Sequence, residues 1–119
     1  MVFRAPFQLL RDGQPFGTVV SYGYETPWAT GRVVAHDPAA LAQGEAIAAF
    51  LAWADALPDA LPDAEADARY ERECAARGLT AAAIDRWTAA AWTLIDPEGN
   101  HHPAYSLSCL GDEFVQWRW

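Results

Sequence analysis

"GDEFVQWRW", residues Gly111–Trp119, decides how this chain folds. In an extended strand, successive side chains point to opposite faces, so Val115, Trp117 and Trp119 share one face and Phe114, Gln116 and Arg118 the other. The stretch before it, AYSLSCL at 104–110, alternates in the same way: Tyr105, Leu107 and Cys109 against Ser106 and Ser108. Together they read as an antiparallel hairpin with one apolar face per strand. A two-residue Gly111-Asp112 loop would set Leu107 opposite Gln116, whereas a three-residue loop sets Leu107 opposite Trp117 and Tyr105 opposite Trp119. The odd loop is expected, because a one-residue slip would turn every tryptophan to the wrong face. Trp117 and Trp119 then point inward and Arg118 outward, and the ending completes the core instead of serving as a recognition tag.

Working toward the amino terminus, Asp96-Pro97-Glu98-Gly99 has the residue preferences of a type I turn, and WTLID before it has strand character. Residues 3–35 are rich in Val, Phe, Tyr and Thr, punctuated by Asp12-Gly13, Gly17, Gly23 and Gly31. They predict two hairpins, one turning near Asp12–Gln14 and one through Glu25, Thr26 and Pro27. The period then changes. Asp37 can cap a helix whose first position is Pro38, and the apolar stripe Leu41, Ile47, Phe50, Leu51, Ala54 and Leu57 carries it to about Leu57. The tandem ALPDALPD at 56–63 breaks it. A more solvated helix is expected over Asp63–Arg77, with Glu65–Arg69 and Glu73–Arg77 in the favourable acid-first order and Gly78 as its stop. Thr80 can cap a third helical stretch with Ile84, Trp87 and Ala91 facing inward.

The fold class expected is α+β over a single domain, residues 1–119: one antiparallel sheet of about six strands, built from N-terminal and C-terminal β-meanders, with two or three central helices on one face.

Composition narrows the functions. Net charge is −8, and all eight basic residues are scattered arginines, so the chain is not expected to bind nucleic acid and a basic protein is the better-matched partner. The start MVFRAPFQLL lacks a long apolar core, and the most apolar run, residues 46–54, is far short of a membrane span, which predicts a cytoplasmic chain with no membrane contact. Cys74 and Cys109 lack CxxC spacing and are expected as two reduced thiols. Without lysine, Schiff-base chemistry, pyridoxal-phosphate attachment and the P-loop are excluded, and G-x-S-x-G, H-E-x-x-H and G-x-G-x-x-G are also missing. No cofactor and no catalytic residue is assigned, and the balance leans away from an enzyme.

Three histidines remain. His36, His101 and His102 could meet near one end of the sheet and hold a metal with Asp37 or Asp96, but neighbouring residues of an extended segment point apart, so no metal site is assigned. The acidic series Asp59, Asp63, Asp67 and Glu71 reads as a solvated helix face. The most distinctive surface is YGYETPWATGR at 22–32. Tyr22, Tyr24 and Trp28 offer flat amphipathic area, and Glu25, Arg32 and His36 polar groups, making these six the candidate ligand- or partner-binding residues. Against that stands a hairpin whose aromatics simply cap the sheet.

The order DGQPFGTV, TPWATGR, LIDPEG and GDEFVQWRW resembles a group of small bacterial α+β proteins with a D-G hairpin, a P-W-x-x-G turn and a closing G-D…W-R-W strand. The likeness covers both ends of the chain and carries over no activity. Two functions are therefore weighed. One is a non-catalytic cytoplasmic interaction or regulatory protein, such as an immunity-type inhibitor. The other is a ligand-binding protein or small enzyme with an aromatic cleft at Tyr22, Tyr24 and Trp28. A homodimer formed through a sheet edge is compatible with either.

Overall fold

Asp12 and Gly13 both have positive φ, 51° and 79°, the backbone that a two-residue hairpin turn matched to strand twist requires. In the computed structural model, which describes residues 3–119, they join β1 (Phe7–Arg11) to β2 (Gln14–Val19). β3 (Gly23–Glu25) and β4 (Trp28–Ala35) form the second expected hairpin. The helices are α1 (Pro38–Asp55), α2 (Asp63–Ala76) and α3 (Ala81–Ala89), followed by β5 (Trp92–Ile95), β6 (His101–Gly111) and β7 (Phe114–Arg118). The protein is α+β, and every strand pairing is antiparallel.

The sheet does not stay open. Its order is β2-β1-β5-β6-β7-β4-β3, and β2 also pairs with β4, which closes six strands into a barrel. β3 continues the course of β2 along β4, after an interruption at Val20–Tyr22. Two glycines allow the closure. A Cβ on Gly17 would lie 2.6 Å from the Val34 carbonyl oxygen, and one on Gly31 would lie 2.4 Å from that of Ser21. Read from sequence they are turn punctuation; in the fold they lie inside strands, where the backbones approach too closely for a side chain.

The helices accordingly do not lie on one face of an open sheet. The antiparallel registers bring the β1–β2 turn, the end of β4, the start of β5 and the β6–β7 turn to one end of the barrel, and the helical segment leaves and returns there. Leu41, Gly44, Ile47 and Phe50 of α1 are buried, with α1 against β6 and β4. Trp87 of α3 lies over Gly44, where a Cβ would come within 2.3 Å of the indole, and packs on Phe16 and Trp92 at 6.0 and 5.0 Å between ring centres.

Local signals shape the helices. The Asp37 carboxylate accepts the Ala39 N–H at 3.0 Å, and Thr80 Oγ1 accepts that of Ala83 at 3.1 Å. α1 stops at Asp55, two residues short of the expected Leu57. α2 carries both expected ion pairs, Glu65–Arg69 at 2.9 Å and Glu73–Arg77 at 3.2 Å. It ends in a Schellman motif, with Leu79 N–H donating to the Cys74 carbonyl and Gly78 at φ 67°. Ala91, expected inside α3, is exposed beyond it. Its N–H donates to Asp12 Oδ1 and its carbonyl accepts the Asp12 N–H, both at 2.8 Å, so the first hairpin turn captures the chain and redirects it into β5.

The closing hairpin keeps Trp117 fully buried, Trp119 half-buried and Arg118 exposed, as expected, by a different register. Its turn is Asp112-Glu113, with φ 53° and 68°, and bulges interrupt the pairing between Cys109 and Gly111 and between Tyr105 and Ser108. The second bulge, with Ser106 at φ 55°, leaves Ser106 and Leu107 facing Trp117 alone. Leu107 thus packs inward, but Tyr105, expected opposite Trp119 on the apolar face, pairs with Arg118 and points out, 57% exposed. The extra residue shifts the alternation of β6 by one.

Both cysteines are free. Burial, followed by the nearby Glu45 carboxylate, pushes the Cys109 thiol up to about 12, while Cys74 is half-buried between helices. Alkylation of folded protein at pH 8 is expected to modify Cys74 alone, and both thiols after unfolding; mass spectrometry showing Cys109 labelled at a similar rate in the folded state would contradict this packing. No helix among the described residues is long and apolar enough to cross a membrane.

Candidate functional site

The six residues singled out from sequence do not converge. Tyr22 turns into the barrel end opposite the helices, where its hydroxyl accepts a hydrogen bond from Trp119 Nε1 at 2.9 Å. There it joins Phe3, which stacks on Trp119 at 4.3 Å, and the edges of Phe7 and Trp117. These rings seal the barrel mouth, and for Tyr22 that is the sheet-capping role weighed from sequence. Arg32 lies farther along β4, opposite Phe114, with its backbone N–H donated to Ser21 Oγ at 3.0 Å. His36 is exposed at the junction of β4 and α1, its N–H donating to the Phe16 carbonyl.

Tyr24, Glu25 and Trp28 do stay together. The β3–β4 hairpin pairs Glu25 with Trp28, and with Thr26, Thr30 and Gln116 they border an open depression of about 540 Å³. Tyr24 is 55% exposed, and the Arg118 guanidinium stands over the Trp28 ring at 5.8 Å, holding the indole flat against the surface. Pairing fixes the hairpin backbone, so less of the chain remains to be ordered on binding.

The imidazoles are separated as well. His36 lies at the helix end of the barrel and His102 at the aromatic end, which corrects the expectation that they could meet. Among the described residues no group of three or more His, Cys, Asp and Glu is placed to hold a metal ion.

His102 has a different occupation, for which the sequence offered only its spacing from a turn aspartate. Asp96 is the one buried charged residue among those described. Its Oδ1 accepts the Glu98 and Asn100 N–H groups at 3.0 and 2.9 Å, closing the turn, and its Oδ2 lies 2.8 Å from His102 Nε2. An ionised carboxylate only accepts, so Nε2 carries the proton. The His102 hydrogen bond, opposed by burial and helped by the two backbone donors, holds the Asp96 carboxyl down to about 2 from an ordinary 3.8. Phe3 and Trp119 meet the His102 ring edge-on, so the dyad braces the aromatic seal.

A lowered folded-state value means that the ionised form is favoured by folding. The contribution is therefore complete above about pH 4 and vanishes as pH falls toward 2. Wild-type protein is expected to melt above Asp96→Asn near pH 6, with the gap closing between pH 4 and 2; a gap independent of pH would contradict the assignment.

Sequence reasoning missed another concavity. Between α1, the link from α3 to β5, and β6 lies a cleft of about 430 Å³, bordered by Leu51, Thr88, Trp92, Tyr105 and Leu107. It lies beside the bulge at Ser106, which the flat alternation read from AYSLSCL does not reveal. Compared with protein-family models, with curated proteins and with solved structures, the chain matches none.

Proposed function

We propose that this is a non-catalytic, cytoplasmic interaction protein, of the kind that masks a basic protein surface as an immunity-type inhibitor does, and that the β3–β4 hairpin tip makes the contact. The observation that carries this reading is the joint presentation of Tyr24, Glu25 and Trp28 around an open depression on a paired hairpin. Rigid aromatics of this type supply large contact area at small entropic cost, and they are enriched among residues that dominate binding energy. Glu25, in a chain of net charge −8, favours a basic partner and speeds its approach.

The test is affinity capture from the native lysate with two baits, the wild type and a double variant Tyr24→Ala, Glu25→Arg, both sites being exposed. The expected result is one stoichiometric basic protein on the wild type, weakened by salt and lost on the variant. Retention of the same partner by the variant, or no stoichiometric partner in repeated trials, would sink the proposal.

A small polar ligand is the second reading. It is favoured by Thr26, Thr30 and Gln116, whose polar groups line the same depression, and by a volume within the usual range for such sites. Amide NMR shifts confined to Thr26, Thr30 and Gln116 on addition of a fragment library would support it over a protein partner.

A further inference from the structure

Directly opposed residues of an antiparallel pair share one face of the sheet, so the registers of β3, β4 and β7 sort the side chains near the hairpin tip. Ala29 pairs with Trp117, and both are fully buried, which makes theirs the inward face. The alternate positions point outward: Glu25 opposite Trp28, and Thr30 opposite Gln116. These four share the outer wall and border the open depression, and Glu25 is the one charged side chain in its lining among the described residues.

The polar groups there are set to accept. No cation among the described residues lies within ion-pair reach of the Glu25 carboxylate. Gln116 donates from Nε2 to Ser108 Oγ at 3.3 Å, which leaves its amide oxygen to accept, and the Thr30 hydroxyl can accept as well. The Arg118 guanidinium lies over the Trp28 ring from the β7 side and does not border the depression.

That inventory selects the occupant. An anion would be repelled by Glu25, and a neutral group would gain nothing from its charge. A compact ammonium could pair with the carboxylate but has no flat face to set against an indole wall. A guanidinium is planar, offers five N–H donors and no acceptor, and meets a carboxylate with two parallel hydrogen bonds. The apolar stem behind it can lie along Trp28.

We infer that the depression bounded by Glu25, Trp28, Thr30 and Gln116 receives a single arginine side chain of the partner protein, with its guanidinium on the Glu25 carboxylate. This deepens the function proposed above and rests on its reading of the hairpin tip as the contact surface.

The experiment titrates ¹⁵N-labelled full-length protein with acetyl-arginine methylamide at constant ionic strength. The citrulline analogue, of the same shape without the charge, and the lysine analogue are titrated alongside. The expected result is shifts at Glu25, Thr26, Thr30 and Gln116 with the arginine probe, and binding roughly fivefold weaker for the other two, the scale of an exposed ion pair with favourable geometry. Glu25 is exposed, so Glu25→Gln is expected to keep the melting temperature and to bring the arginine probe down to the citrulline level.

The inference is overturned if the arginine probe at millimolar concentration leaves these amides unshifted. It is equally overturned if citrulline binds as well, which would make the depression a site for neutral polar ligands, or if lysine does, which would make it a site for any cation. The reading it rests on is judged separately. A captured partner lost on the double variant, with the amides silent to the arginine probe, removes the arginine pocket and keeps the contact surface; selective shifts with no partner captured support the pocket and remove the inhibitor-like role.

Discussion

Trp117→Ala is expected to cost about 3–5 kcal/mol of folding free energy, a large part of what a domain of this size has to spare. Trp117 is fully buried in β7, opposite Ala29 of β4, facing the bulge that carries Leu107 and within 6.2 Å of the Tyr22 ring. Its neighbours belong to strands closed into a ring, so they cannot move inward freely, and most of the void left by the indole persists. Among the described residues the indole Nε1 has no hydrogen-bond partner. Trp117→Phe therefore removes an unsatisfied donor along with one ring, and it is expected to lose well under half of what alanine loses. Urea unfolding of both variants checks this; an alanine variant within about 1 kcal/mol of wild type would mean that β7 is not a wall of the core.

Gly31→Ala is expected to destabilise by about 1–3 kcal/mol, as overpacking does, despite the gain of roughly 0.5–1 kcal/mol that alanine ordinarily brings by restricting the unfolded chain. A Cβ at Gly31 meets the Ser21 carbonyl oxygen at 2.4 Å, in the interruption that follows β2, and Val19 Cγ1 at 2.5 Å, on the strand whose pairing with β4 closes the barrel. Backbone atoms cannot swing aside as a side-chain tip can. Gly17→Ala is expected to behave alike, since its nearest atoms are the Val34 carbonyl oxygen and the Ala35 Cα. Gly23→Ala is the internal control. Its closest contact is the Thr30 hydroxyl at 3.2 Å, on a side chain able to rotate, and its effect is expected within about 0.5 kcal/mol. Equal effects at all three glycines would show that closure does not depend on the missing side chains.

Where the sequence was legible, the determinants were local. Asp37-Pro38 and Thr80 start helices through hydrogen bonds spanning two or three residues, and Gly78 stops one with a positive φ. Asp12-Gly13 makes its turn where expected, and the indole of Trp117 is buried as the alternation required. Closure was not legible, because the close approach of Gly17 and Gly31 to β4 and β2 involves residues far enough apart that no periodicity records it. The bulge at Ser106 was equally silent: period-two reading assumes one residue per partner, and here two face one. The candidate site split for the same reason. Tyr22 and Tyr24 are two residues apart and look equivalent in sequence, yet the interruption at Val20–Tyr22 sends one into the barrel mouth and the other to the hairpin tip.

Native-state hydrogen exchange at the amides of Val20 and His36 tests the closed barrel most directly. These N–H groups donate to the carbonyls of Arg32 and Phe16 at 2.8 and 2.9 Å and tie β2 to β4. In a closed barrel both exchange only through global unfolding, with protection matching the free energy from urea denaturation. Exchange within minutes, at the rate of the exposed loop amides, would leave β2 and β4 as two open edges and contradict the barrel.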